Sequence, residues 1–459
     1  MSYTSISSII TALADDSIKK ASAVAAGPHG LAYDNINVSS SIFVEQAPNS
    51  MSKVQSGTFG VIYELLNARE EDMQIKPMVE RLKNSAPLQL SALRPSTESM
   101  GAYATQTAIN ISSILLKYVD GFETLKGDLL FQHLVRRKIP DGHKTRYHPV
   151  RASTIEEASI PGNLQVHNDI YCDQLGISPD NLNKRAIPCI NDQLTNARNR
   201  GAQEVRKQDV SYWERREIFQ LGFGIFHLVM NLIWALLETY RGTINQTGSL
   251  SHLFAVLEKT RLGGEKPDYH TLLASLTQIA EGLILNAWRN ECGFSSLQGY
   301  AKSSPKAQDI LNLARKIMLK YATPKFTKEF QGMDPAYPLQ DLDPPVATST
   351  TEMNVDRDED SDSDMEDDLG QDLPSDTSTA NSEDEGVKDT VHQNTILLTR
   401  DLLYIIELND AISTGDFGRI EDILPALACL FRGAGSKNYS LEILYFLFHI
   451  KEVWTPEFA

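Results

Sequence analysis

The stretch Arg185-Ala-Ile-Pro-Cys-Ile-Asn-Asp192 limits the fold more than any other part of the chain. Its apolar residues Ile187, Cys189 and Ile190 make a run too short for a helix, bounded by Pro188 and Asn191, and so read as a buried strand of a covered sheet. That makes the chain α/β. Asp192 then stands at the strand's C-terminal edge, where open α/β sheets place their ligands. The same carboxylate also suits the cap of a following helix, accepting backbone N–H bonds. The stretch by itself leaves both roles open.

Earlier in the chain, Gly30 to Val38 reads as a strand with Ala32, Asp34, Ile36 and Val38 on one face, because side chains two apart point the same way. Asp34 is thus expected on an apolar face, where a carboxylate must be paired, protonated or metal-bound. Ser41–Glu45 and Gly57–Tyr63 are expected as further strands of a hairpin-like start. Nearly everything else has helical periodicity. Helices are predicted over 5–25, Met73–Leu82, Tyr103–Leu125, Asn163–Leu175, Trp213–Tyr240, Ser249–Arg261, Tyr269–Asn290, Pro305–Tyr321, Asn394–Thr414 and Ile420–Phe431, with a last one from Asn438 to Ile450. Trp213, Trp234 and Trp288 are expected in the core.

A chain of 459 residues, 41% of them apolar, has enough material for two or three domains. Its charge of −17 is uneven, because 351–390 holds sixteen acidic residues against Arg357 and Lys388 and leaves the remainder near −3. Acidity therefore does not exclude nucleic acid as a partner. Pro335–Asp389 has too few large apolar residues to offset chain entropy and is expected to be a disordered acidic linker, with Ser361 and Ser363 in an acidophilic phosphorylation context. The 4 cysteines, Cys172, Cys189, Cys292 and Cys429, lack zinc or disulfide spacing, and reduced, mostly buried thiols are expected. No basic region followed by a long apolar core marks a secretory signal. Ile218–Leu237 is long enough to span a bilayer, but Gln220, His227 and Asn231 would be costly in lipid, so a buried helix is the better reading. The expected division is an N-terminal helix (1–28), an α/β core with a helical excursion at about 64–140 (29–211), an all-α insertion (212–334), the linker (335–392) and C-terminal helices completing the core (393–459).

Three acids stand out: Asp34 on a first strand, Asp192 ending a later one, and Glu442 among Leu441, Ile443 and Leu444 on a late buried helix. Three carboxylates in this order can hold two divalent cations about 3.5–4 Å apart for phosphodiester chemistry, and magnesium suits hard oxygen ligands. Phosphate contacts are expected from Arg136, Arg137, Lys138, Lys144 and Arg146 in the basic run 135–151, which also holds Arg151, and from Arg198 and Arg200. The run also reads as solvated surface, and the two later arginines as partners of Glu204 and Asp209.

Six segments in one order carry a family resemblance: Tyr33-Asp-Asn-Ile-Asn37, Glu156-Glu-Ala-Ser159 with Gly162-Asn163, Asn191-Asp-Gln-Leu-Thr195, Phe226-His-Leu-Val-Met-Asn231, Gly415-Asp-Phe-Gly-Arg419 and Gly433-Ala-Gly-Ser-Lys-Asn-Tyr439. They resemble the largely fungal family catalogued as domain of unknown function 6589, from about Gly30 to the C-terminus. That layout in turn resembles transposases of the ribonuclease-H-like DDE type, in which a helical insertion separates the second Asp from a helix-borne Glu. The resemblance implies a predominantly helical α/β fold, with a small ribonuclease-H-like mixed sheet interrupted by a large all-α insertion. It maps Asp34, Asp192 and Glu442 onto the catalytic and Mg2+-binding acids, with Asp416 a rival for the third place and His227 an accessory residue. His227 also fits a core histidine bonded to Asn231 or to a carbonyl. The implied function is metal-dependent DNA strand cleavage or transfer in the nucleus. The alternative is a catalytically dead DNA-binding or scaffold descendant, whose acidic linker recruits basic proteins. Relatives run on past a segment like Val453-Trp-Thr-Pro456, so a truncated copy is expected.

Overall fold

The run from Ile187 does form a strand, inside a five-stranded mixed sheet, but the sheet is not covered on both faces there, because Ile190 is 40% exposed. The computed structural model of the chain describes residues 3–39, 54–89, 94–323 and 390–459. The expected strand Ser41–Glu45, the segment Pro335–Asp389 and its Ser361 and Ser363 lie outside the described residues.

The strands are β1 (His29–Ser39), β2 (Val54–Glu64), β3 (Tyr147–Pro149), β4 (Ile187–Asn191) and β5 (Phe219–Phe223), in the spatial order β3-β2-β1-β4-β5. β1 is antiparallel to β2, β2 is antiparallel to β3, and β1, β4 and β5 are parallel. β2 alone therefore runs against the other four.

β5 corrects the helix expected over Trp213–Tyr240. Phe219-Gln-Leu-Gly-Phe223 is buried on every side, so it has no alternation of polar and apolar residues to distinguish a strand from a buried helix. Gly224 ends it and caps α7 (Ile225–Tyr240). The helical insertion accordingly begins after β5 rather than at residue 212. The apolar run 218–237 is shared between strand and helix, and among the described residues no helix is long and apolar enough to cross a membrane.

One face of the sheet is filled by Leu31, Tyr33, Ile62, Ile187, Cys189, Phe219 and Leu221. They pack against Ala21 and Ala25 of α1 (Tyr3–Ala25) and Val166 of α4 (Ile160–Asn168), with Ile170 and Tyr171 in the π-helical turn after it. The other side of β1 is open, which corrects the expectation of a covered apolar face around Asp34. Val38 there is 55% exposed.

The helices form two further cores. One joins α2 (Ile75–Asn84), α7, α8 (Leu250–Val256), the first half of α9 (Tyr269–Glu291), and the C-terminal α12 (Thr390–Thr414), α13 (Phe417–Gly433) and α14 (Lys437–Phe448). The other joins α3 (Thr97–Tyr118), the second half of α9, α10 (Leu297–Lys302) and α11 (Ala307–Tyr321). Between α4 and β5 lie the short α5 (Pro179–Leu182) and α6 (Gln193–Val205). Trp213 and Trp288 are buried as expected, and Trp234 is half-buried against the larger core. All four cysteines are free, Cys429 being exposed.

Candidate functional site

The register of two strands brings the first two acids to one level. β1 and β4 run parallel with Leu31 beside Cys189, and Asp34 and Asp192 each lie three residues further on. Adjoining strands are about 4.8 Å apart. The ladder ends just before them, where the Tyr33 N–H donates to the Asn191 side chain at 3.1 Å instead of to a backbone carbonyl. Below, the buried Tyr33 hydroxyl lies 2.7 Å from Asn163 Oδ1 and 3.0 Å from His167 Nε2, and accepts from Asn199 Nδ2 at 2.8 Å. This polar knot ties β1 to α4 and α6 beneath the sheet's C-terminal edge.

Asp34 is exposed, and one of its oxygens accepts the Asn35 N–H at 2.8 Å. Asp192 caps α6, its carboxylate accepting the Thr195 N–H at 2.7 Å. The capping role is thus real, and it leaves the second oxygen of Asp192 free of that bond.

Glu442 comes back to this edge on α14 and is 2% exposed. Its oxygens accept from Asn196 Nδ2 at 2.8 Å and Arg200 Nη2 at 2.7 Å, so its charge is already matched. Arg200 lies over the Tyr445 ring at 4.7 Å. Its partner is therefore Glu442, not Glu204 or Asp209 as one reading of the sequence had it. Tyr439, one turn before Glu442, has its hydroxyl held well above the usual range by burial, with Asp192 and Glu442 adding to the effect and Asn231 opposing it.

His227 stands in the first turn of α7, half-buried, beside Gly224, whose N–H bonds the Asn191 carbonyl at 2.8 Å. Asn231 donates to the backbone carbonyl of His227 at 2.9 Å, not to its ring.

Asp416 has a structural setting. Both its oxygens accept backbone amides, from Arg136 at 2.9 Å and Arg137 at 2.7 Å, and it is buried away from these groups. The basic run is largely paired within the protein. Arg136 binds Asp422 and Glu98, Arg137 binds Glu421, Lys138 binds Asp141, Arg146 binds Glu64 and Arg151 binds Asp15. Among the described residues, Lys144 and Arg198 are the members of the predicted basic set that make no ion pair.

The sequence reading assigned no role to Glu157. It precedes α4 and is 1% exposed, with Oε1 accepting the Thr195 hydroxyl at 2.8 Å and Oε2 without a hydrogen-bond partner. Burial pushes its carboxyl up to about 7; the Thr195 bond opposes the shift, Asp192 and Asp34 add to it, and Arg198 opposes it. The one available signal was its place in the Glu156-Glu-Ala-Ser159 segment.

Among the described residues, no three His, Cys, Asp or Glu side chains are already gathered in a metal-holding group. Beside the edge, an apolar groove of about 730 Å3 runs over the open sheet face between Ala32, Ile190 and Phe226. No curated protein and no solved structure matches the chain. Residues 82–459 match the family described as Family of unknown function (DUF6589), well over half of the sequence, and the chain belongs to that family.

Proposed function

We propose that this chain is a ribonuclease-H-like, DDE-type nuclease domain that cuts or transfers DNA strands in the nucleus. In this reading Asp34, Asp192 and a further carboxylate would hold Mg2+, whose charge would supply the activation of an attacking oxygen that phosphodiester cleavage needs. The observation that carries it is the register of β1 and β4, which sets Asp34, midway along β1, level with Asp192 just past the end of β4. Two features add support. The order β3-β2-β1-β4-β5, with β2 alone reversed, gives the small mixed sheet that this reading requires. α14 also returns after a long helical insertion to bring Glu442 to the same edge. Of the predicted basic set, Lys144 and Arg198 are, among the described residues, without an ion pair and so open to phosphate.

The second reading, a DNA-binding descendant without cleavage that acts as a nuclear scaffold and recruits basic proteins through the acidic segment, is favoured by one observation. Glu442 is bound to Arg200 and Asn196, so its charge is already matched within the protein.

Nicking of supercoiled plasmid with and without Mg2+ tests the first reading, using the intact chain and its Asp192→Asn variant. Asparagine caps a helix as well as aspartate, so the fold is kept while the charge is lost. Magnesium-dependent nicking that falls on the order of hundredfold or more in the variant is expected. Equal nicking by both proteins, or none by either, overturns it. DNA binding without nicking supports the second reading.

A further inference from the structure

We propose that Glu157 is the third carboxylate of the cation site, binding a divalent ion together with Asp192 and Asp34 in place of Glu442. This rests on the reading above and sharpens it.

Thr195 joins the two carboxylates: its hydroxyl donates to Glu157 at 2.8 Å and its N–H donates to Asp192 at 2.7 Å. Both acids are thereby fixed at the first turn of α6. The remaining oxygen of Glu157 is buried without a hydrogen-bond donor. Such an oxygen is costly unless something positive meets it, and it lies in the fields of Asp192 and Asp34, with Arg198 the opposing charge. Glu442 differs in this respect, because Arg200 and Asn196 already satisfy it.

The position of Glu157 is built in. Asn163 Nδ2 donates to the Glu157 carbonyl at 2.6 Å and to the Ser159 carbonyl at 2.9 Å. A Cβ on Gly162 would stand 2.0 Å from the Glu156 carbonyl oxygen, so the loop lies directly on the start of α4. Asp34 is exposed and Asp192 half-buried, whereas the free oxygen of Glu157 is buried on the far side of Thr195 from the Asp192 cap. Oxygen ligands of this kind suit magnesium or manganese.

Mn2+ binding to the intact chain, followed by titration calorimetry and by the paramagnetic resonance of free Mn2+, tests the assignment without requiring turnover. Glu157→Gln keeps an oxygen for the Thr195 hydroxyl, and it is expected to weaken Mn2+ binding by about tenfold or more. Glu156→Gln removes the same charge from the exposed neighbour and is expected to shift affinity less than about threefold. Should the glutamine variant fail to fold, Glu157→Asp retains the charge on a shorter arm and is expected to bind Mn2+ more weakly than the wild type. Wild-type affinity in either Glu157 variant, with binding still lost in Asp192→Asn, overturns the role of Glu157 alone. Absence of Mn2+ binding by the wild type at millimolar concentration overturns the cation site itself.

Discussion

Gly162 and Asp192 hold the edge together in different ways. At Gly162 the obstacle to a side chain is a backbone oxygen, which cannot swing aside. Gly162→Ala is therefore expected to destabilise the protein by about 3 kcal/mol, at the upper end for overpacking, as read from urea denaturation. Asp192 is different, because the cap needs only an oxygen. Asp192→Asn should fall within about 0.5 kcal/mol of the wild type, while Asp192→Ala should cost about 1 kcal/mol. A cost for asparagine as large as that for alanine would show that the charge, not the cap, stabilises this corner. The capping role of Asp192 was legible in the sequence, since the residue precedes a polar helical run. The partner of Glu442 was not: Arg200 lies 242 residues away, and its neighbours Glu204 and Asp209 were the obvious local choices. Glu157 was hidden for the same reason, because its partner Thr195 lies 38 positions on.

The Gly415-Asp-Phe-Gly-Arg419 segment, taken from the sequence as a possible source of the third acid, acts as a joint between helices. Asp416 holds the amides of Arg136 and Arg137, and a Cβ on Gly418 would stand 2.7 Å from the Arg137 nitrogen. Arg419, almost wholly buried at the start of α13, forms a two-pronged pair with Glu407 of α12 at 2.8 Å for each prong, and it reaches Asp410 at 2.6 Å. Asn110 of α3 donates to the same Glu407 at 2.6 Å, so three helices meet on one ion pair. Arg419→Ala strands the buried Glu407 and is expected to cost about 3–5 kcal/mol, measurable as a loss in the denaturation midpoint at unchanged slope. A change below about 1 kcal/mol would mean the pair is solvated. The long helices could be read from the sequence because each has one polar face, and α9 and α11 fall within two residues of their expected limits. The strands were harder. β1, β2 and β4 carry flanking turn residues, whereas β5 is buried on all sides and the three residues of β3 are too few to show a period.

Residues 1–323 and 395–459 form one unit in which the last 65 residues complete cores begun by the first 323. Its response to acid follows in part from His29, His167 and His449, whose rings burial holds below their ordinary value. Burial brings His29 down to about 4, against a smaller opposing effect of the Gly27 carbonyl, and burial likewise brings His449 to about 4. A histidine with a lowered folded value contributes stability above 6.5, its value in the open chain, and that stability is lost as the pH falls toward about 4. The stability difference between wild type and His29→Asn is thus expected to shrink across this window, whereas a constant difference would mean that the ring is protonated in the fold. Glu157, whose value is raised, acts in the opposite sense over much of the same range, which is why the comparison of variants is the informative quantity. The central claim is that Asp34 and Asp192 meet at a cation-holding edge of the sheet. Anomalous diffraction from Mn2+-soaked crystals of the intact chain tests it most directly: a manganese peak within bonding distance of both carboxylates is predicted, and crystals with manganese only elsewhere, or with none, would contradict it.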